Sequence, residues 1–291
     1  MPPALFLYSH GFPDPAAMTT ADRLAFHSLA ALAARGPVDL LALIPHAKRG
    51  MSVPPAVASR CRRVAVFPAP AGVAAAVGSV ARGLAVRRPP MLSLKRSAGA
   101  AAFLARALQR GEYGLLMANS PLALADLPEA LGAARRAGAA APRLVLATEE
   151  VLWRAWEGYS WRHWRALGPA ILLHSRFAGW MACHERRLGC LADRVLCLSD
   201  REAESMRRLD PAIRTARWPL AVDTADFCPG DDPLPAEPEI LFTGFFGHPP
   251  NRAAAVELVR DVLPRVRTSS TAAARVGGWP KKPVNRIPGP A

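Results

Sequence analysis

Short apolar runs alternate with alanine-rich stretches over most of the chain. Runs at residues 4–8, 38–44, 64–67, 113–117, 144–147 and 195–198 have strand length, and the segments between them have helical length. The first such segment carries Leu24, His27, Leu29 and Leu32, with Gly36 placed to stop a helix. Runs that read as apolar throughout, without polar alternation, mark strands covered on both faces. The pattern therefore predicts an α/β, Rossmann-like domain with a mainly parallel sheet between helices. Ligands on such sheets bind where loops gather at the carboxyl ends of the strands. The loops after Tyr8, Met117, Ala147 and Leu198 are thus the places to search.

The pattern changes near residue 220. Pro219, Pro229, Pro233, Pro235 and Pro238, with Gly230, Asp231 and Asp232, form a polar, proline-rich connector. A new apolar run at 239–243 follows, then Gly244-Phe-Phe-Gly247 and a helical stretch from about Asn251 to Val266. Strand, glycine turn and helix are the opening unit of a second Rossmann-like domain. Such a turn presents backbone N–H groups at a helix N-terminus, an arrangement suited to phosphate; glycines that merely permit the bend are the other reading. The expected organisation is a domain over residues 1–218, a linker over 219–238, the start of a second domain over 239–267, and a tail over 268–291.

Composition sets outer limits. At 291 residues the chain has room for two domains, at roughly 150 residues each. Its 51% hydrophobic and 21% charged residues argue against general disorder. No apolar stretch approaches the roughly 20 residues needed to span a bilayer. Met1-Pro2-Pro3 offers no basic start to a secretory signal, and five cysteines fit a reducing compartment, so a cytoplasmic protein is expected. The net charge of +14 favours anionic partners. No nucleic-acid-binding motif accompanies it, and no nucleic-acid partner is expected.

Three segments occur in a recognisable order. Glu185-Arg-Arg-Leu-Gly-Cys-Leu-Ala-Asp193-Arg-Val-Leu-Cys-Leu-Ser199 resembles the "E…aDrvl.vS" segment of group-1 glycosyltransferases with the GT-B fold. Trp218-Pro-Leu-Ala-Val-Asp223-Thr-Ala-Asp-Phe227-Cys-Pro229 resembles their interdomain "pNGVD…F.P" hinge. Ile240-Leu-Phe-Thr-Gly244 and His248-Pro-Pro-Asn251 resemble the opening of their donor domain, "ilF.G…..PN", above all in exopolysaccharide-associated sugar transferases. Ser9-His-Gly-Phe-Pro13 resembles the family's first loop. The resemblance spans roughly residues 4 to 267.

The resemblance implies an acceptor-side domain and a donor-side domain facing a cleft. It implies transfer of a sugar from a nucleotide-diphosphate sugar to a saccharide or lipid-linked acceptor, with retained configuration, no bound metal and no cofactor beyond that donor substrate. It places Gly244 and Gly247 at the donor diphosphate, with His248 and Asn251 just beyond. On the acceptor side the candidates are His10, at a strand's carboxyl end, and Glu149 and Glu150, which stand where the family often has a histidine. No residue is assigned as catalytic. The chain also departs from the pattern: Leu220 and Ala221 replace the hinge Asn-Gly, and no strand is expected after Arg267. The family's basic pair and paired glutamates would lie further on. The second domain is therefore expected to be incomplete, the tail disordered or out of register, and the chain inactive. The alternative is a non-catalytic fragment or acceptor-domain binding module.

Two side-chain groups remain. On a helix, Trp153, Trp156, Trp161 and Trp164 would fall within about 140° of one another, with Arg154 to another side. They read either as a peripheral contact with the inner face of the membrane, or with a lipid acceptor, or as packing against the sheet; Gly158 counts against a single helix. Cys183, Cys190 and Cys197 lack zinc-site spacing and read as buried, inert thiols.

Overall fold

The computed structural model describes residues 2–16, 20–45, 48, 50–69, 72–125, 127–162, 170–220, 239–244, 246, 249–267 and 273–278. They fall into two compact units, Met1–Ala221 and Val222–Ala291.

The first unit is α/β. Its strands are β1 (Ala4–Tyr8), β2 (Val38–Ile44), β3 (Arg63–Pro68), β4 (Leu115–Asn119), β5 (Arg143–Thr148), β6 (Arg194–Cys197) and β7 (Thr215–Arg217). They form one sheet in the order β3-β2-β1-β4-β5-β6-β7, every pairing parallel. Successive side chains on a strand point to opposite faces, and here both faces are buried. Leu5, Leu7, Leu41, Leu43, Leu116 and Leu146 pack against helices α5 (Ala98–Gln109), α6 (Leu127–Arg136), α8 (Ala170–Leu191) and α9 (Asp200–Leu209). Phe6, Tyr8, Leu40, Ala42 and Met117 pack against α1 (Thr20–Ala33) and α2 (Pro55–Ala58). The remaining helices are α3 (Val73–Ala85), α4 (Pro90–Leu94) and α7 (Leu152–Arg162).

Several details differ from the sequence pattern. Strand β4 starts two residues late, because Tyr113 turns its hydroxyl to Asp39 (2.9 Å) and the Gly114 N–H goes to the Pro3 carbonyl. Asp39 interrupts the apolar run of β2 yet is buried; Arg62 grips both its oxygens at 2.9 and 2.7 Å. Strand β7 was not foreseen, since three residues with one apolar side chain carry no pattern. Helix α7 runs through Gly158 without a break. Gly36 lies in the turn after α1 without a left-handed φ. Of the three cysteines taken as buried, only Cys197 is; Cys183 and Cys190 are exposed on the long helix α8. No helix among the described residues is long and apolar enough to cross a membrane.

The second unit contains β8 (Glu239–Gly244) and a helical segment made of α10 (Pro249–Glu257), one π-turn (Leu258–Val262) and α11 (Leu263–Arg267). Pro264 cannot donate a helical hydrogen bond and crowds the preceding turn; the wide turn just before it accommodates this. The reading that no strand follows Arg267 is overturned. Residues Ala273–Gly278 form β9, parallel to β8, with Glu239 opposite Ala273 and Gly244 opposite Gly278. Only Val276 marked that stretch as strand-forming, so the parallel partner and not local propensity defines it.

Candidate functional site

Strand order reverses between β1 and β4, where connections leave in opposite directions and the loops part. On a doubly wound sheet this switch point is where ligands bind. Tyr8, the last residue of β1, lies opposite Asn119, the last residue of β4, and Asn119 lies opposite Ala147 on β5. The chain therefore brings Ser9 and His10, Asn119 and Ser120, and Thr148 and Glu149 to one end of the sheet.

Beyond Tyr8 the backbone turns at Gly11, φ +112°, where a Cβ would stand 3.2 Å from Cδ of Lys48. Glycine thus lets Lys48 pass under the loop, and its Nζ donates to the His10 carbonyl at 2.7 Å. Tyr8 donates its hydroxyl to Asp22 Oδ1 (2.5 Å), and Asp22 also faces Lys48 at 4.0 Å. Lys95, which ends α4, holds Nζ 3.3 Å from both ring nitrogens of His10. The Asn119 amide donates to the Glu149 carboxylate. Two polar atoms of this cluster, Ser9 Oγ and Asn119 Oδ1, are buried without a hydrogen-bond partner.

Electrostatics follow from burial. Desolvation, then the charge of Lys95, lowers the His10 pKa to about 4, so the imidazole is neutral near pH 7. Desolvation lowers Lys95 to about 8, with Lys48 adding to the effect and Glu149 opposing it. Burial raises the Glu149 pKa against the hydrogen bond from Asn119. Burial and Asp22 raise Tyr8. A neutral imidazole, a weakly held ammonium proton and a carboxylate of raised basicity thus share one crevice, a set able to orient hydroxyl groups and take up a proton.

Of the acceptor-side candidates, the structure gathers His10 and Glu149. Glu150 is exposed, and only its backbone carbonyl takes part, accepting from Thr148 Oγ1 at 2.8 Å. Tyr8, Asp22, Lys48, Lys95 and Asn119 escaped the sequence reading. Each comes from a different part of the chain, and no local motif joins them; only the end position of Tyr8 on an apolar run was a usable signal.

In the second unit Gly244 ends β8, and a Cβ there would stand 3.1 Å from Asn251 Nδ2 on α10. Strand end and helix start are therefore in contact. Gly247 and His248 lie outside the described residues, as do Trp164 and the side chain of Trp161.

Trp153, Trp156 and Arg154 are half-buried on α7. Trp153 packs on the core with Nε1 buried and unpartnered, and Arg154 donates to Ser205 Oγ at 2.6 Å. Trp156 meets the edge of Phe177 at 6.3 Å. All three are engaged within the fold.

The segment from Glu185 to Ser199 proves architectural. Glu185 accepts from the Leu152 and Trp153 N–H groups at 3.0 and 2.8 Å, closing the N-terminus of α7. Asp193 accepts from Leu144 N at 2.7 Å, fixing β5 beside β6. Ser199 caps α9, accepting from Glu202 N at 3.3 Å. Among the described residues, no group of three or more His, Cys, Asp or Glu is placed to hold a metal ion.

Fold and crevice define a Rossmann-like α/β domain with a cluster of polar side chains at its switch point. No family model and no curated protein matches the chain. Among solved structures it is similar to HepE of Anabaena in complex with UDP-glucose, at 15% identity over 77% of this chain and 45% of that one, TM-score 0.41. It is also similar to Anabaena HepE in complex with UDP and glucose, at 12% identity over 95% of this chain and 69% of that one, TM-score 0.48. The chain thus spans less than half the length of the former. Likeness at this level carries nothing about function, and the fold class stands on the parallel sheet itself.

Proposed function

We propose that the chain supplies the acceptor-side domain, and the first strand-helix-strand of the donor side, of a glycosyltransferase that uses a nucleotide-diphosphate sugar. One observation carries this reading: His10, Lys95, Asn119 and Glu149 converge at the switch point of a β3-β2-β1-β4-β5 sheet. The ordered motif resemblance from Glu185 to Asn251 supports it. In this reading the neutral imidazole of His10 and the Asn119 amide orient an acceptor hydroxyl. Its oxygen forms the new bond to the sugar's anomeric carbon on the face from which the diphosphate leaves, the departing diphosphate oxygen takes up the hydroxyl proton, and Glu149 holds the Asn119 amide in place. Gly244 and Asn251 border the turn that would face the diphosphate.

The test is saccharide binding by the full chain, with and without uridine and guanosine diphosphate sugars. Glu149→Gln is expected to weaken that binding by about tenfold, a usual size for one charge-assisted hydrogen bond, while Glu150→Gln leaves it unchanged. Equal effects of the two changes would sink the assignment. Saccharide binding without any donor turnover would leave an acceptor-binding module in place of an enzyme.

A further inference from the structure

A cavity of about 450 Å³ opens in the first unit between the turn after α3, the start of α6 and helix α8. It shares no residue with the crevice around His10, and its size suits a small organic molecule. Arg87, Arg88 and Arg187 line it, and Glu129 is the one carboxylate among its lining residues. Arg187 reaches that carboxylate at 3.2 Å and Arg88 at 4.0 Å, whereas Arg87 has no acidic partner among the described residues. Arg87 also stands out by its backbone. The Arg88 N–H reaches the Gly83 carbonyl at 2.8 Å and the Arg87 N–H that of Leu84 at 3.1 Å, the pair that closes α3. Such a turn asks for a left-handed residue, usually glycine, and Arg87 supplies it with φ +53°. The turn accounts for the conformation but not for the arginine, and strained backbone of this kind gathers at ligand sites. Trp180, half-buried, and His184 complete the wall. His184 Nε2 lies 3.3 Å from the Pro121 carbonyl, which can only accept. Burial chiefly lowers the pKa of that ring to about 4, so it is neutral near pH 7. Nε2 then carries the one hydrogen, and Nδ1 is left as an acceptor.

An inorganic anion would engage the guanidinium groups and leave Trp180 and the His184 acceptor unused. A phosphate carried on a ring with an N–H or O–H donor engages all of them. We propose that this cavity binds a ring-bearing phosphomonoester, its dianion at Arg87, Arg88 and Arg187 and its ring against Trp180. The planar forks of arginine match the terminal phosphate oxygens, and hydrogen bonds between charged partners are stronger than neutral ones. The ring covers part of the indole, and its donor meets Nδ1 of His184. Glu129 competes with the phosphate for Arg88 and Arg187. Part of the net charge of +14 thereby gains an anionic partner. Nucleoside monophosphates and sugar phosphates share this chemistry, and the ring decides between them. The cavity belongs wholly to the first unit, whereas the Gly244 turn belongs to the second. The inference therefore stands apart from the transferase reading.

The test is calorimetry of the full chain with uridine monophosphate, glucose 6-phosphate and inorganic phosphate. At least one organic phosphate is expected to bind about tenfold or more tighter than inorganic phosphate, the gain from its ring. The tighter of the two identifies the ring as heteroaromatic or saccharide. Arg87→Gly should weaken that binding about tenfold and at the same time raise the urea midpoint, because glycine relieves the turn. Those opposite signs separate a ligand role from a structural one. Glu129→Gln should tighten binding about threefold, since it removes the competing carboxylate. Arg110→Gln, which takes away an exposed arginine elsewhere, should leave binding unchanged. Equal affinity for all three phosphates would overturn the proposal. So would equal losses in Arg87→Gly and Arg110→Gln, or weaker binding in Glu129→Gln.

Discussion

The His10 ring is held between the Lys95 ammonium and the Tyr8 ring, whose centroid lies 5.7 Å away. Burial chiefly, and Lys95 next, keep its pKa near 4, below the ordinary 6.5. As pH falls below 6.5 the unfolded chain binds a proton that the folded chain refuses. The stability tied to His10 is therefore present above that pH and is lost as pH falls toward 4. Proton NMR should show two histidines titrating near pH 4, His10 and the buried His184, of which His10→Gln removes one, and that variant should lose less stability than the wild type between the two pH values. A His10 resonance titrating at its ordinary pH would mean the ring is solvated. Ser120, next to Asn119, carries strain instead of charge. Its φ of 96° and ψ of 135° suit glycine, and a non-glycine residue there costs about 1–3 kcal/mol. Ser120→Gly should raise stability by about 1 kcal/mol in urea denaturation. Ser120→Ala should lower it, since it keeps the strain and loses the hydroxyl's contact with Leu122 N at 3.3 Å. Neither residue announced its environment in the sequence. His10 was visible as a polar residue ending an apolar run, but its partners come from α4 and from the loop after β2.

At the scale of elements, side chains that looked like family signatures turn out to close helices. Glu185 is fully buried and accepts two N–H groups from the first turn of α7, where a helix end favours negative charge. Burial outweighs those bonds and raises its pKa to about 7, above the ordinary 4.5. Between these values the folded chain holds a proton that the unfolded chain releases. Stability from this group is full below pH 4.5 and declines as pH rises through about 7, by at most about 3 kcal/mol. Urea denaturation at about pH 5 and pH 8 should show wild type losing more than Glu185→Gln over that interval; parallel losses would refute the assignment. Ser199 is simpler. With Glu202 returning a bond to Leu198 N at 3.0 Å it forms a reciprocal cap on α9, and Ser199→Ala should cost about 1 kcal/mol. Such elements were legible because strands covered on both faces are apolar end to end, and the signal survives a single Asp39. What could not be read were β7, too short for a period, and β9, which a parallel partner defines.

At the scale of the whole molecule, both large core clusters belong to the first unit. One contains Leu5, Leu104, Leu127 and Met206, the other Phe6, Phe26, Leu40 and Met117. Among the described residues, the last side chain packed against them is Trp218, at the start of the proline-rich connector. A seven-stranded parallel sheet with helices on both faces can bury enough apolar surface to fold alone. The second unit shows two strands and one helical segment among its described residues, and a two-stranded sheet is marginal by itself. This unevenness was partly readable, because the connector stands out by its prolines. The convergence of His10, Lys95 and Glu149 was not, because it depends on which strands become neighbours. We expect residues 1–220 to fold as an independent unit. Limited proteolysis of the full chain should leave a resistant core ending within residues 219–238, and a chain of residues 1–220 should unfold in one cooperative transition. It should also keep the low-pH histidine resonance of His10, since the β1–β4 crevice that buries the ring and the two lysines that lower its pKa all lie within residues 1–220. Early cleavage inside residues 110–150, between α5 and β5, would show that the sheet does not form one cooperative body. A 1–220 chain that binds hydrophobic dye and melts without a transition would show the same.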